Sequence, residues 1–136
     1  MADERTARGV LDTSVVIDLE NIDPNALPLE VAVTTLTMAE LAAGPHAAAN
    51  AAERARRQDR VQRTEAAFAP LPFDADAARA YGRVYAAVIA AGRKARGARA
   101  IDLMIAAIAC SLDLPLYTRN PNDFVALDGL VDVVTI

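Results

Sequence analysis

Asp102 sits inside an apolar run, Ala100-Ile-Asp-Leu-Met-Ile-Ala-Ala-Ile-Ala109, and that run constrains the fold more than any other segment. A stretch this hydrophobic reads as a helix packed into a core. A carboxylate within it is costly to bury unless it is paired, hydrogen-bonded or bound to a metal. Two more acids sit at the ends of apolar segments: Asp12 after Gly9-Val-Leu11, and Glu40 after Val31 to Met38. Three acids far apart in sequence, each at a helix start or an apolar edge, point to one acidic pocket.

The chain has 136 residues, the length of one ordinary domain, and a single domain over 1–136 is expected. A domain of this size buries roughly two-thirds of its unfolded surface and needs no disulfide. The one cysteine, Cys110, allows no internal disulfide framework and suits a reducing compartment. The start, Met1 to Arg5, is charged, and the first apolar stretch, Val10 to Leu19, is broken by Asp12 and Asp18. Neither a leader nor a membrane span fits, so a cytoplasmic location is expected.

A net charge of −4 and a pI near 4.9 exclude a nucleic-acid binder that works by bulk charge. They leave room for an enzyme that reaches nucleic acid through metal ions and a local basic patch. With one histidine, His46, and one cysteine, a zinc site of the usual nitrogen and sulfur type is nearly ruled out. A hard, oxygen-liganded ion, Mg²⁺ or Mn²⁺, matches the available donors.

Arg8 to Asp12 reads as a short buried strand ending at an acid, after which Thr13-Ser14 opens a short helix. A loop over 21–28 precedes a second strand, Leu29 to Thr35. Thr37-x-x-Glu40 has the spacing of a capping box and starts a helix that Gly44-Pro45 ends. His46 to Phe68 is strongly helical, and Leu71 to Phe73 is extended. Asp74 caps a helix to about Ala91. Gly92 to Gly97 is a basic loop, Ala100 to Leu112 the apolar helix, Pro115 to Thr118 a strand, Arg119 to Phe124 a turn, and Val131 to Ile136 a terminal strand. Strands alternating with helices predict an α/β fold with a mostly parallel sheet, which binds ligands beyond the carboxyl ends of its strands.

Each acid has a plain structural explanation. Asp12 would cap the helix after it, and Glu40 would close the capping box with Thr37. Asp102 lies within reach of Arg99 or Arg96. If that pairing is absent, removing the Asp102 side chain should leave metal-free stability unchanged or higher. Arg56, Arg60 and Arg63 share one helical face and read as solvated. Arg93, Lys94, Arg96 and Arg99 precede Asp102 and would suit a phosphodiester held beside the acids. Cys110 reads as core and His46 as surface.

Four blocks then occur in order: Val10-Leu-Asp-Thr-Ser-Val-Val-Ile17, Thr37-Met-Ala-Glu-Leu-Ala-Ala-Gly44, Ala100-Ile-Asp-Leu-Met-Ile-Ala-Ala107 and Leu116-Tyr-Thr-Arg-Asn-Pro-Asn-Asp-Phe124. Together they resemble the PIN-domain ribonucleases, and within them the VapC toxins of bacterial toxin–antitoxin pairs, from about Arg8 to Ile136. The resemblance implies a three-layer α/β/α sandwich around a mostly parallel sheet. It implies catalytic acids at Asp12, Glu40 and Asp102. The fourth position falls on Asn120 in the register of some relatives and on Asp123 in that of others, and Asp123 is taken here, with Asn120 beside it. Ser14 stands where many relatives have Asn.

The implied chemistry is metal-assisted hydrolysis of an RNA phosphodiester, in tRNA or rRNA. Asp12 and Asp102 would hold Mg²⁺ (or Mn²⁺), and Glu40 and Asp123 would complete the shell. Thr13, Ser14 and Thr118 would position a water or a phosphate oxygen, with Arg93, Arg96 and Arg99 beside the substrate. A homodimer and a cognate VapB-like antitoxin are also implied. The alternative is a catalytically weak PIN-like module that binds RNA or a protein partner. A receiver domain needs a strand-end lysine, and the only lysine is Lys94 in a loop. Haloacid-dehalogenase-type phosphatases need Asp-x-Asp where this chain has Asp12-Thr13-Ser14.

Overall fold

A computed structural model of the chain describes residues 6–136; the charged start, Met1 to Arg5, lies outside the described residues. Four strands, β1 (Arg8–Leu11), β2 (Glu30–Ala32), β3 (Leu116–Thr118) and β4 (Val133–Thr135), form one sheet in the order β2-β1-β3-β4. Every pairing is parallel, with Gly9 opposite Val31, Leu11 opposite Tyr117 and Leu116 opposite Val133. Parallel strands need long crossovers: among the described residues α1 (Thr13–Ile17) joins β1 to β2, α2 (Thr35–Ala43), α3 (Ala51–Ala67), α4 (Ala75–Ala90) and α5 (Ala98–Ser111) lie between β2 and β3, and the 3-10 segment Pro121–Leu127 joins β3 to β4.

The period-two alternation of each strand splits the core into two layers. Val10, Ala32 and Leu116 face α4 and α5, where they meet Val84, Val88, Leu103 and Ala106. Leu11, Val33 and Tyr117 face the other side, against Val15 of α1, Leu41 of α2 and Val61 of α3. This is the expected three-layer α/β/α arrangement. Gly9 permits a close approach within the second layer: a Cβ there would lie 2.6 Å from Cε1 of the buried Tyr117 ring.

Helix starts differ from the sequence reading at α2, at α3 and at α5, which begins at Ala98 and not Ala100. The N-cap of α2 is Thr34, whose hydroxyl accepts the Thr37 N–H at 3.2 Å; Thr37 is therefore not a cap and Glu40 closes no capping box. The cause is non-local. Thr34 is anchored in the sheet by a parallel bridge to Leu71, with Leu71 N–H donated to Val33 O and Thr35 N–H donated to Leu71 O. The helix can only begin where that extended pairing stops. Helix α3 begins at Ala51, capped by Asn50, after a separate 3-10 turn over Gly44–Ala47. Asp74 caps α4 as expected. The start of α5 depends on Gly97, whose φ of 69° lies in the left-handed region that glycine tolerates. Among the described residues, no helix is long and apolar enough to cross a membrane.

Candidate active site

The sheet order puts β1 between β2 and β3, so the crossover from β1 runs one way to β2 and the next runs back past β1 to β3. The crevice at that switch, beyond the carboxyl ends of β1 and β3, is where open α/β sheets bind ligands. Asp12 follows β1 there, and Thr118 closes β3 beside it. The Asp12 N–H is donated to Tyr117 O at 3.0 Å, which fixes the two strand ends together.

Asp12 is only 3% exposed, and three donors hold its carboxylate. Oδ1 accepts the Val15 N–H at 3.1 Å, as an N-cap does, and the Ser14 hydroxyl at 2.6 Å. Oδ2 accepts the Thr118 hydroxyl. Each hydroxyl is itself oriented, Ser14 Oγ by the Arg119 N–H at 3.1 Å and Thr118 Oγ1 by the Asn120 N–H at 2.9 Å. The cap reading of Asp12 is thus correct but incomplete. Thr118 is fully buried and stands behind Asp12, so its hydroxyl faces the carboxylate and not a substrate.

Glu40 enters from the second turn of α2. The Thr13 hydroxyl is donated to its Oε1 at 2.6 Å. Thr13 Oγ1 also lies 3.0 Å from Thr37 Oγ1. A hydroxyl has one proton, so Thr37 donates to Thr13 and Thr13 to Glu40. In the sequence the spacing of Thr37 to Glu40 reads as a cap, which hides this role. That same spacing places both side chains on one helix face.

Asp102 also lies in the second turn of its helix, not the first. Leu103 and Ile105 to Ala109 beyond it are buried, whereas Asp102 is half-buried and opens toward the crevice. Its pKa is pushed up from 3.8 to about 6, first by burial and then by the charges of Asp123, Glu40 and Asp12. Arg99 opposes the shift only weakly, and among the described residues no ion pair within 4.0 Å joins Asp102 to Arg99 or Arg96. The salt-bridge explanation of Asp102 therefore fails. Asp123, in the 3-10 segment Pro121–Leu127, exerts the strongest of the three carboxylate effects, while Asn120 is exposed ahead of that segment.

Of the basic loop, Arg93 donates to Asn122 O at 2.9 Å and so ties the loop to the segment carrying Asp123. Lys94 and Arg96 are exposed, and Arg99 is half-buried near Asp102. Cys110, expected in the core, is half-buried at its rim, with an Arg83 N–H 3.7 Å from Sγ. A cleft of about 590 Å³ runs along β4 past Asp113 and Asp128 and contains none of the four acids.

Three carboxylates acting on Asp102 with little cationic relief favour a hard divalent cation. Among the described residues, no three acids are gathered tightly enough for an all-protein cage.

The PIN domain family model matches residues 9–130. Ribonuclease VapC5 of Mycobacterium tuberculosis is 42% identical over 133 residues, covering 96% of this chain and 95% of that protein. The chain belongs to the PIN-domain family. Among solved structures, the PIN domain superposes on VapBC-5, a member of the VapBC family of toxin–antitoxin systems from Mycobacterium tuberculosis, with a TM-score of 0.81. That pair is 42% identical and covers 96% of this chain and 98% of the other. FitAcB from Neisseria gonorrhoeae gives a TM-score of 0.68 at 26% identity, covering 91% and 94%.

In this PIN domain the Thr118 hydroxyl is expected to matter through Asp12. Thr118→Val removes a buried hydrogen bond and orphans the Asn120 N–H. Cleavage should fall about ten- to a hundredfold, as for other groups that orient a ligand, with a loss of roughly 1–3 kcal/mol in stability. Initial rates and thermal melts of the variant check both.

Proposed function

We propose that this chain is an endoribonuclease toxin that hydrolyses RNA phosphodiester bonds and is neutralised by a cognate VapB-like antitoxin. One observation carries the reading: Asp12, Glu40, Asp102 and Asp123, from four separate elements, converge at the sheet's switch point, and the other three raise the pKa of Asp102. The likeness to a protein named as a ribonuclease over nearly the whole chain supports it. The solved neighbours include toxin–antitoxin complexes, which supports the antitoxin partner.

Asp12 and Asp102 would hold Mg²⁺ or Mn²⁺, with Glu40 and Asp123 as outer acids. When bound, the ion polarises the phosphate and makes a water more acidic. The chain's own contribution is positioning. Val15 N–H, Ser14 and Thr118 keep the Asp12 carboxylate in one rotamer, so its position is set before substrate arrives. The Thr37–Thr13 relay aims Glu40 at the crevice and leaves its second oxygen for a water proton. Arg93 holds the segment that carries Asp123, and Arg99 offers a cation beside the acids. Cytoplasmic RNA is the proposed substrate, and one PIN domain over 1–136 is the proposed unit.

The test is incubation of antitoxin-free protein with total cellular RNA in Mg²⁺, in Mn²⁺ and in chelator, with the new ends mapped by sequencing. Discrete ends that require both the ion and Asp12 are expected. If folded, metal-bound protein produces none, the chain is a binding module and not a nuclease.

A further inference from the structure

The sequence reads Arg56, Arg60 and Arg63 as one solvated face, but the structure separates them. Arg56 pairs with Glu53 at the surface. Arg63 pairs with Asp59 at 2.9 Å and Glu20 at 3.2 Å. Their neighbour Arg57 bonds Glu53 at 3.0 Å and donates to Gly44 O at 2.9 Å, clamping α3 onto the end of α2. Arg60 does none of this. Among the described residues its guanidinium has no carboxylate within 4.0 Å and no hydrogen bond, although the residue is half-buried.

Arg60 lines a cleft of about 390 Å³ whose other walls include Thr13 and Glu40. Glu40 is the one of the four acids that lines this cleft, and Glu53 and Arg57, already paired with each other, complete its charged wall. A partly desolvated cation without a partner in its own chain is matched by an anion that arrives with a ligand. The guanidinium fork fits two phosphate oxygens, and it is not consumed by a neighbouring acid. A strand of RNA whose scissile phosphate lies among the four acids must pass other phosphates beside a negatively charged wall. A cation in that wall offsets the repulsion.

We propose that Arg60 binds a backbone phosphate of the RNA next to the scissile one. This rests on the nuclease reading above. Arg60 is a substrate-binding residue in the cleft, whereas Arg56, Arg57 and Arg63 are structural or solvated. Phosphate contacts add affinity and position the strand without reading sequence.

The test measures steady-state cleavage of a labelled RNA oligonucleotide spanning a mapped cut site, in Mg²⁺ at several salt concentrations. Arg60→Gln should raise KM about tenfold with kcat nearly unchanged, because ground-state and transition-state binding are lost together. The slope of log(kcat/KM) against log salt should become shallower by about one. Arg60→Lys should recover the salt slope and part of KM. Arg56→Gln, one helical turn away and ion-paired outward, should match the parent and exclude a bulk-charge effect. If Arg60→Gln keeps the parent KM and salt slope while the parent cuts, the assignment is overturned and the nuclease reading stands. A fall in kcat at constant KM also overturns it. Loss of antitoxin binding with unchanged RNA kinetics gives the cleft to the protein partner instead. If the parent cuts no RNA, the nuclease reading fails first and this assignment falls with it.

Discussion

Asp102→Asn is expected to stabilise the metal-free protein and to end its activity. The Asp102 pKa is raised from 3.8 to about 6, first by burial and then by Asp123, Glu40 and Asp12. The folded state therefore holds the Asp102 proton more tightly than the unfolded state does. The penalty for ionising it is absent below about pH 4, grows as pH rises through the window from about 4 to about 6, and is complete above that. A two-unit shift corresponds to roughly 3 kcal/mol; discounted for the solvent that reaches a half-buried group, about 1–2 kcal/mol remains. Asparagine keeps the shape and removes the charge. In chelator near neutral pH, Tm should rise by roughly 3–8 °C, and the gain should shrink as the buffer is taken from about pH 6 to about pH 4. Adding Mg²⁺ should raise the Tm of the parent and do little for the variant. A lower metal-free Tm in the variant would mean that Asp102 is held by a cation, and the acidic-pocket argument would collapse.

Asp12→Asn should remove activity as completely but shift stability the other way. With Asp12 in its proposed place as a ligand to the ion, cleavage is expected to fall by on the order of a thousandfold or more, since such a ligand contributes several kcal/mol to the transition state. The Asp12 carboxylate accepts from Val15 N–H, Ser14 and Thr118 within a nearly dry crevice. An asparagine keeps one accepting oxygen and turns an NH₂ toward a donor. With Ser14 and Val15 satisfied, the Thr118 proton has nowhere to go, and a buried donor without an acceptor costs about 1–3 kcal/mol. Metal-free Tm should therefore drop by roughly 3–10 °C. The two variants remove the same single charge, so opposite signs of the Tm shift would separate a braced carboxylate from a crowded one. Equal shifts would show that only net charge matters at this site.

Much of the architecture is written locally. The apolar runs and their β-branched content place β1, β2 and β3, the Asp74 cap marks α4, and the alternation of strands with helices specifies a parallel sheet. Asp12, Glu40 and Asp102 stand out because each is an acid at the edge of an apolar segment. The start of α2 is not legible locally: Thr34 and Thr37 are both good caps, and the choice between them is made by Leu71 pairing beside Thr34. Thr37 carries no sequence signal of its role, since an isolated threonine on a helix face is ordinary; the resemblance puts Thr118 at the site, but only the fold shows its hydroxyl turned onto Asp12.

The sequence alone determined which segments become strands and helices, that the fold is α/β, and which acids could carry chemistry, because those properties follow from periodicity, capping and the cost of placing charge beside apolar residues. Tertiary structure decided how the acids are used. It set Thr118 against Asp12 across most of the chain's length, brought the charge of Asp123 to bear on Asp102, left Asp102 without an ion pair to Arg96 or Arg99 among the described residues, and placed Arg60 in the cleft wall while Arg56, Arg57 and Arg63 found partners within the chain. Periodicity states which face of an element is buried. Which faces meet is settled only when the sheet order and crossovers bring distant strand ends to one crevice.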